Sequence, residues 1–204
     1  LNQQVPAKPS GTYSFTISSK RYKIVNGSVT SQGEDTTWTT SILGSPSWIH
    51  VEEQSNTLIV TVDENTTTSQ RSADIVIFQT VGDGSITLTI EQQAASITWN
   101  YTFNIFQPSS KVLNVPAKMI DPDTIVVNSY RTKVINGTQT STKEFVEVTI
   151  DSIEESWLEV TKNSNDQTQA ELFVTCLENT VSSIRSATVT IRQVGTSNLD
   201  QVDI

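Results

Sequence analysis

The chain has 204 residues, a formal net charge of −9 and a hydrophobic share of 35 %, with one cysteine and one histidine. No Lys/Arg run is longer than Lys20-Arg21, so the clustered cations that a nucleic-acid surface needs are missing, and no apolar stretch approaches the ~18 residues of a spanning helix. A lone cysteine forbids an intrachain disulfide, and with a lone histidine it leaves a zinc site or a Ser-His-Asp triad short of parts; no cofactor is expected.

The predicted elements are all strands. Leu58, Val60 and Val62 alternate with Ile59, Thr61 and Asp63; Ala73, Ile75 and Ile77 with Asp74, Val76 and Phe78; Ile86, Leu88 and Ile90 with Thr87, Thr89 and Glu91. Period-two alternation places the first set of each on a core. Ile97, Trp99, Tyr101, Phe103 and Ile105 then share one face, against Thr98, Asn100, Thr102 and Asn104; that face is expected to pack on the core or across the domain junction, with an exposed aromatic ladder for sugar rings or a partner as the alternative. Further on, Leu172, Val174 and Cys176 form an inward set, as do Ala187, Val189 and Ile191. Leu199, Val202 and Ile204 do not alternate cleanly, which leaves the register of the last strand open. Between strands, Asn26-Gly27 and Asn136-Gly137 suit tight hairpin turns with positive φ, and Val81-Gly82-Asp83-Gly84-Ser85 suits another turn.

Much of this is written twice. Val5-Pro6-Ala7-Lys8 returns as Val115-Pro116-Ala117-Lys118, 110 residues later, and Ser19, Arg21, Lys23, Asn26 and Gly27 meet Ser129, Arg131, Lys133, Asn136 and Gly137 at the same offset. Ser47-Trp48 matches Ser156-Trp157 at 109; Asn65-Thr66, Arg71-Ser72-Ala73, Ile77 and Gln79 match Asn179-Thr180, Arg185-Ser186-Ala187, Ile191 and Gln193 at 114. A period of this length is one whole small domain. Short alternating strands with turns every ~8–12 residues predict an immunoglobulin-like sandwich, so the chain is expected to be all-β, with two tandem immunoglobulin-like antiparallel β-sandwiches at residues 1–95 and 96–204. Only four residues precede the first Val-Pro-Ala-Lys, and Ile204 corresponds to Ile90, so both outer ends are expected to be truncated. The junction at Gln92–Ala95, free of Pro and Gly, is expected to limit hinge freedom.

Ser47-Trp48-Ile49-His50-Val51, then Val60-Thr61-Val62-Asp63-Glu64-Asn65, Arg71-Ser72-Ala73-Asp74-Ile75 and Ile86–Gln92, resembles the BACON domain, the Bacteroidetes-associated carbohydrate-binding, often N-terminal module; Ser156-Trp157-Leu158-Glu159-Val160, Glu178-Asn179 and Arg185-Ser186-Ala187-Thr188-Val189 repeat the series. The resemblance implies an immunoglobulin-like sandwich in a surface protein or glycan-degrading enzyme of gut Bacteroidetes, or in a phage. It implies an extracytoplasmic setting at the cell surface, in secreted form or on a virion. The expected function is a non-catalytic spacer or adhesion module of a larger protein, with a glycan-binding module and a phage virion module as alternatives. The expected partners are neighbouring domains and glycans, with no nucleic acid and no membrane insertion.

The residues held in both copies, Trp48, Asn65, Arg71, Trp157, Asn179 and Arg185, are expected to serve the fold: the tryptophans by core packing, the asparagines by turns that allow left-handed geometry. The competing reading is a sugar platform with polar partners. Phe78, whose counterpart is Arg192, and Trp99 and Tyr101 are the candidate glycan contacts. Cys176 falls at the Val62 position and is expected to be buried. Adjacent carboxylates such as Glu52-Glu53 and Glu154-Glu155 point to opposite faces of a strand and do not form a glycosidase pair. Asp121-Pro122-Asp123 has oxygen ligands for calcium but no repeated loop spacing. For a Bacteroidetes source, Asp35-Thr36-Thr37, Asp123-Thr124-Ile125 and Asp151-Ser152-Ile153 resemble O-glycosylation acceptors.

Overall fold

The computed structural model describes all residues from Leu1 to Ile204 and contains strands and turns but no helix. The chain divides into two compact units, Leu1–Ile97 with Ile135–Gly137 and Thr98–Val134 with Thr138–Ile204. The first holds β1 (Asn2–Val5), β2 (Tyr13–Thr16), β3 (Lys20–Arg21), β4 (Ile24–Val25), β5 (Ser28–Val29), β6 (Glu34–Asp35), β7 (Trp38–Ile42), β8 (Ile49–Gln54), β9 (Thr57–Val62), β10 (Arg71–Gln79) and β11 (Ser85–Gln92). The second is built from β12 (Ile97–Gln107), β13 (Asp123–Ile135), β14 (Thr138–Phe145), β15 (Val148–Ile153), β16 (Leu158–Asn165), β17 (Gln169–Cys176), β18 (Thr188–Gln193) and β19 (Leu199–Asp203).

In unit one a sheet of order β1-β11-β10-β7 opposes a sheet of order β2-β9-β8. β1 runs parallel to β11, while β10 is antiparallel to both β11 and β7. The alternation seen in the sequence sets the register. Leu58, Val60 and Val62 of β9 and Ala73, Ile75 and Ile77 of β10 are buried, with Leu88 and Ile90 of β11 completing the core. Burial of each Leu or Ile contributes roughly 1.5–3 kcal/mol, and β-branched side chains pack well on a pleated surface. Ile86 departs from the expected inward set and is half exposed.

Unit two repeats this plan, with a sheet β12-β13-β17-β16, β14 also pairing β13, against β15-β18-β19. Ile125, Val127, Leu172, Val174, Val189, Ile191 and Val202 form its core. The structure supplies the register that alternation left open: β19 is antiparallel to β18, with Thr188 opposite Asp203 and Val189 opposite Val202. Asn26-Gly27 and Asn136-Gly137 are turns with φ of 52° and 80°, and 49° and 80°. Two consecutive positive φ values make a primed turn, which asparagine and glycine reach at least steric cost.

The two copies differ along one edge. β13 is a single 13-residue strand flanked by β12 on one side and by β17 and β14 on the other. Its counterpart in unit one is broken into β2, β3 and β4, each paired on one side only. β12 also corrects an expectation. Of its predicted apolar face only Ile105 is buried; Phe103 packs against the core, and Tyr101 is exposed.

Asp200 fastens β12 to unit two. Its carboxylate accepts from the Ile105 N–H at 2.9 Å and from Lys111 Nζ at 2.6 Å. Burial pushes the Asp200 carboxyl up, but the bonds from Lys111, Ile105 and Gln201 outweigh it and hold the group below its ordinary value. A depressed carboxyl contributes stability that is complete above the unfolded value of about 3.9 and is lost as pH falls through the lower folded value. Asp200→Asn is therefore expected to destabilise unit two by about 1.5–3 kcal/mol near neutral pH. Thermal unfolding of both proteins across an acid titration checks this: the difference should persist above about pH 4 and shrink below it.

Candidate functional site

The residues held in both copies converge at one end of each sandwich. In unit one, Gln92 closes β11 and is fully buried. Its side-chain N–H groups donate to the carbonyls of Asp63 at 2.8 Å and Ala7 at 3.0 Å, and its Oε1 accepts from Arg71 Nε at 2.8 Å. Arg71 opens β10, opposite Gln92 in the register, and its Nη2 donates to the Asp63 carbonyl at 2.9 Å. The same guanidinium lies 4.4 Å over the Trp48 ring. Burial pushes the Arg71 guanidinium below its ordinary value, against the pull of Asp63.

Asn65 is buried beside this set. Its Nδ2 donates to the carbonyls of Ser69 at 2.8 Å and Gln93 at 2.9 Å, and its Oδ1 accepts from Thr67 N and Thr67 Oγ1. The expectation of left-handed geometry at Asn65 and Asn179 is corrected: neither has positive φ. The side chains instead close turns by bonding the backbone two and four residues on, with φ negative.

Unit two repeats the Trp, Asn and Arg of this set. Arg185 lies 4.2 Å over the Trp157 ring and donates to the Leu177 carbonyl, while Asn179 Nδ2 donates to Ser183 O at 2.9 Å and its Oδ1 accepts from Val181 N at 3.2 Å. A cavity of about 260 Å³ opens here, lined by Ala117, Trp157, Cys176, Asn179 and Arg185 among others. Cys176 is accordingly half-buried, not buried as its match to Val62 suggests. Burial pushes its thiol above the ordinary value, and Arg185 draws it back. Trp48 and Trp157 are half-buried, packed on their cores with an arginine over one face, so neither indole offers an open platform.

Trp99 and Tyr101 stand together on β12. The Arg131 guanidinium lies 4.0 Å over the Trp99 ring and is also bonded to Glu144 at 3.0 Å. Contacts with Tyr101 and Glu144 raise the Arg131 guanidinium above its ordinary value. Nearby, Lys143 Nζ sits 4.4 Å over the Tyr130 ring. This cluster of two aromatics with a cation and a carboxylate is the arrangement that a sugar ring with hydroxyl groups would meet. Period-two alternation announces Trp99 and Tyr101, but the contribution of Arg131 and Glu144 depends on the β12–β13 pairing and has no local signal. Phe78 lies elsewhere, on β10 of unit one, beside a groove of about 220 Å³ lined by Ile17, Trp38, Gln79 and Ile86 among others. Of the acceptor-like threonines and serines, Ser152 is exposed, whereas the Thr36 hydroxyl is bonded to Ser19 Oγ at 2.7 Å.

A family model described as BACON, "Putative binding domain, N-terminal", matches residues 30–93 and again 135–202. The chain belongs to the BACON family. Each matched segment carries its own Trp, Asn and Arg set, so the chain holds two BACON domains in tandem. No curated protein sequence matches the chain. Among solved structures it is similar to an endo-fucoidan hydrolase of glycoside hydrolase family 107, at 13 % identity and a TM-score of 0.32, covering 100 % of this chain and 27 % of that one. It is likewise similar to human protocadherin-24 EC1-2, at 7 % identity and a TM-score of 0.31, covering 100 % of this chain and 89 % of that one. The chain thus spans about a quarter of the length of the hydrolase it matches.

The bonding pattern ranks the residues of the Trp48 set. Asn65→Ala removes the partner of the Thr67 N–H and of the Ser69 and Gln93 carbonyls, and is expected to cost about 1–3 kcal/mol. Arg71→Lys keeps a charge but loses the fork that reaches both Gln92 and Asp63, and is expected to destabilise too. Urea unfolding of unit one measures both; a loss below about 0.5 kcal/mol for Asn65→Ala would show the turn to be dispensable.

Proposed function

We propose that the chain is a non-catalytic module pair of a larger extracytoplasmic protein, acting as a structural spacer or adhesion element. The observation that supports this reading is that the polar groups recurring in both copies are spent inside the fold. Arg71 and Arg185 cover Trp48 and Trp157, and Asn65 and Asn179 are bonded to backbone within their own turns. A spacer needs each copy to hold its shape and asks nothing further of its surface. Membership of a family of binding and accessory domains agrees with a non-catalytic role.

A second reading, glycan recognition by unit two, is favoured by Trp99 and Tyr101 beside Arg131 and Glu144. Tyr101 is the exposed member and the one a sugar ring would stack on. A glycan array followed by calorimetry on the purified chain tests both. The spacer reading expects no glycan bound more tightly than about 1 mM. Binding below that value, weakened ten-fold or more by Tyr101→Ala with the fold intact, would replace it with the glycan reading.

A further inference from the structure

The two copies provide an internal comparison of one sheet edge with and without a neighbour. In unit two the edge of β13 is covered by β12. Thr102 O of β12 accepts from Gln193 Nε2 at 3.1 Å, the same amide that donates to Ser129 Oγ at 3.0 Å; Asn104 Oδ1 accepts from Asn128 Nδ2, and the Ile105 N–H reaches Asp200. Phe103 and Ile105 lie on the core beneath.

Counterparts of the residues around this seat border the groove of about 220 Å³ in unit one: Ile17 and Ser19 for Val127 and Ser129, Gln79 for Gln193, Ile86 for Asp200. Here Gln79 Nε2 donates to Ser19 Oγ at 3.1 Å, as in unit two, but its second bond turns to Lys20 O at 3.2 Å on its own edge. The strand segments alongside each have a partner on one side only. Their apolar side chains are bare: Tyr22 is 53 % exposed and Ile24 65 %, whereas Thr132 and Val134 at the same positions are buried and half-buried. Ile86, Tyr22 and Ile24 are exposed apolar side chains and the backbone edge from Ile17 to Val25 is unpaired on its outer side, which is the combination that strand addition uses.

We propose that the edge of unit one from Ile17 to Val25, with its groove, is an acceptor site for an added β-strand of the β12 kind: an extended segment with Phe and Ile alternating on its inner face and Asn or Thr on its outer one. The argument for this occupant is the seat of Thr102–Ile105 in unit two. One difference sets a preference. Where Asp200 takes a backbone N–H of β12, unit one has Ile86, so the far end of the groove favours an apolar side chain over a polar anchor. Phe78 lies on the opposite face of the β10–β11 pair from Ile86 and takes no part in this seat.

The test grafts the sequence of residues 96–110 directly before Leu1, which reproduces the spacing of β12 from the following copy, and follows amide hydrogen exchange in the whole chain with and without the graft. Amides from Ser18 to Val25 are expected to exchange at least ten-fold more slowly in the grafted protein. A second graft, in which the copies of Phe103 and Ile105 are replaced by Asp, is expected to give no protection. The peptide of residues 97–107 added in trans to the ungrafted chain should protect the same amides in a saturable manner. Exchange within two-fold of the ungrafted chain, by graft and peptide alike, would overturn the proposal. So would protection in the ungrafted chain that rises with protein concentration together with dimer formation in sedimentation, which would assign the edge to a second copy.

Discussion

The buried carboxamide of Gln92 is the interaction on which the rest of unit one depends. It is fully buried at the point where β11 ends, β10 begins and the loops after β1 and β9 meet. An unpaired amide in such a place would cost several kcal/mol, so its donors and acceptor must all be met. They are met by backbone carbonyls of Ala7 and Asp63 and by Arg71, which binds the segments to one another. Arg71 in turn needs its remaining face covered, and Trp48 covers it. The order Trp, Asn, Arg, Gln along the sequence is thus one polar bracket read in chain order. Trp, Asn and Arg recur in unit two, where Arg185 again covers Trp157 and Asn179 again closes its turn.

This bracket separates what the modules share from where they diverge. The cores, turns and Trp–Arg stacks are alike in both copies; the β13 edge and its counterpart are not. A neighbour on that edge accompanies a long continuous strand in unit two, and its absence accompanies short fragments and bare apolar side chains in unit one. Two modules that share their Trp–Arg stacks and Asn turns can therefore differ at their edges and exposed strands, as at the Trp99–Tyr101–Arg131 face and the groove beside Phe78.

Much of the fold was legible in the residues because period-two alternation and Asn-Gly turns are local signals. β9, β10, β17 and β18 bury the sides that the alternation chose, and the two Asn-Gly turns have the φ values that their residues favour. What was not legible depended on pairing. Ile86 alternates correctly with Leu88 and Ile90, yet lies exposed because no strand covers its end of the sheet. Cys176 alternates like Val62, but a cavity opens beside it. The β12 face reads as five equivalent residues, although only Ile105 is buried and Tyr101 stands in solvent. Asn65 advertised a turn through its residue type, but not the non-local bond to Gln93 that buries it.

The central claim is that the recurring polar residues form a closed internal bracket and not a recognition surface. The most direct measurement is solvent exchange of the side-chain amide protons of Gln92 and Asn65 by nitrogen-edited NMR. A bracket predicts two resolved, shifted pairs of signals that exchange far more slowly than those of exposed amides such as Gln70 and are unchanged by added glycans. Signals at the random-coil position exchanging at the rate of free glutamine and asparagine, or shifting on titration with a glycan, would contradict it.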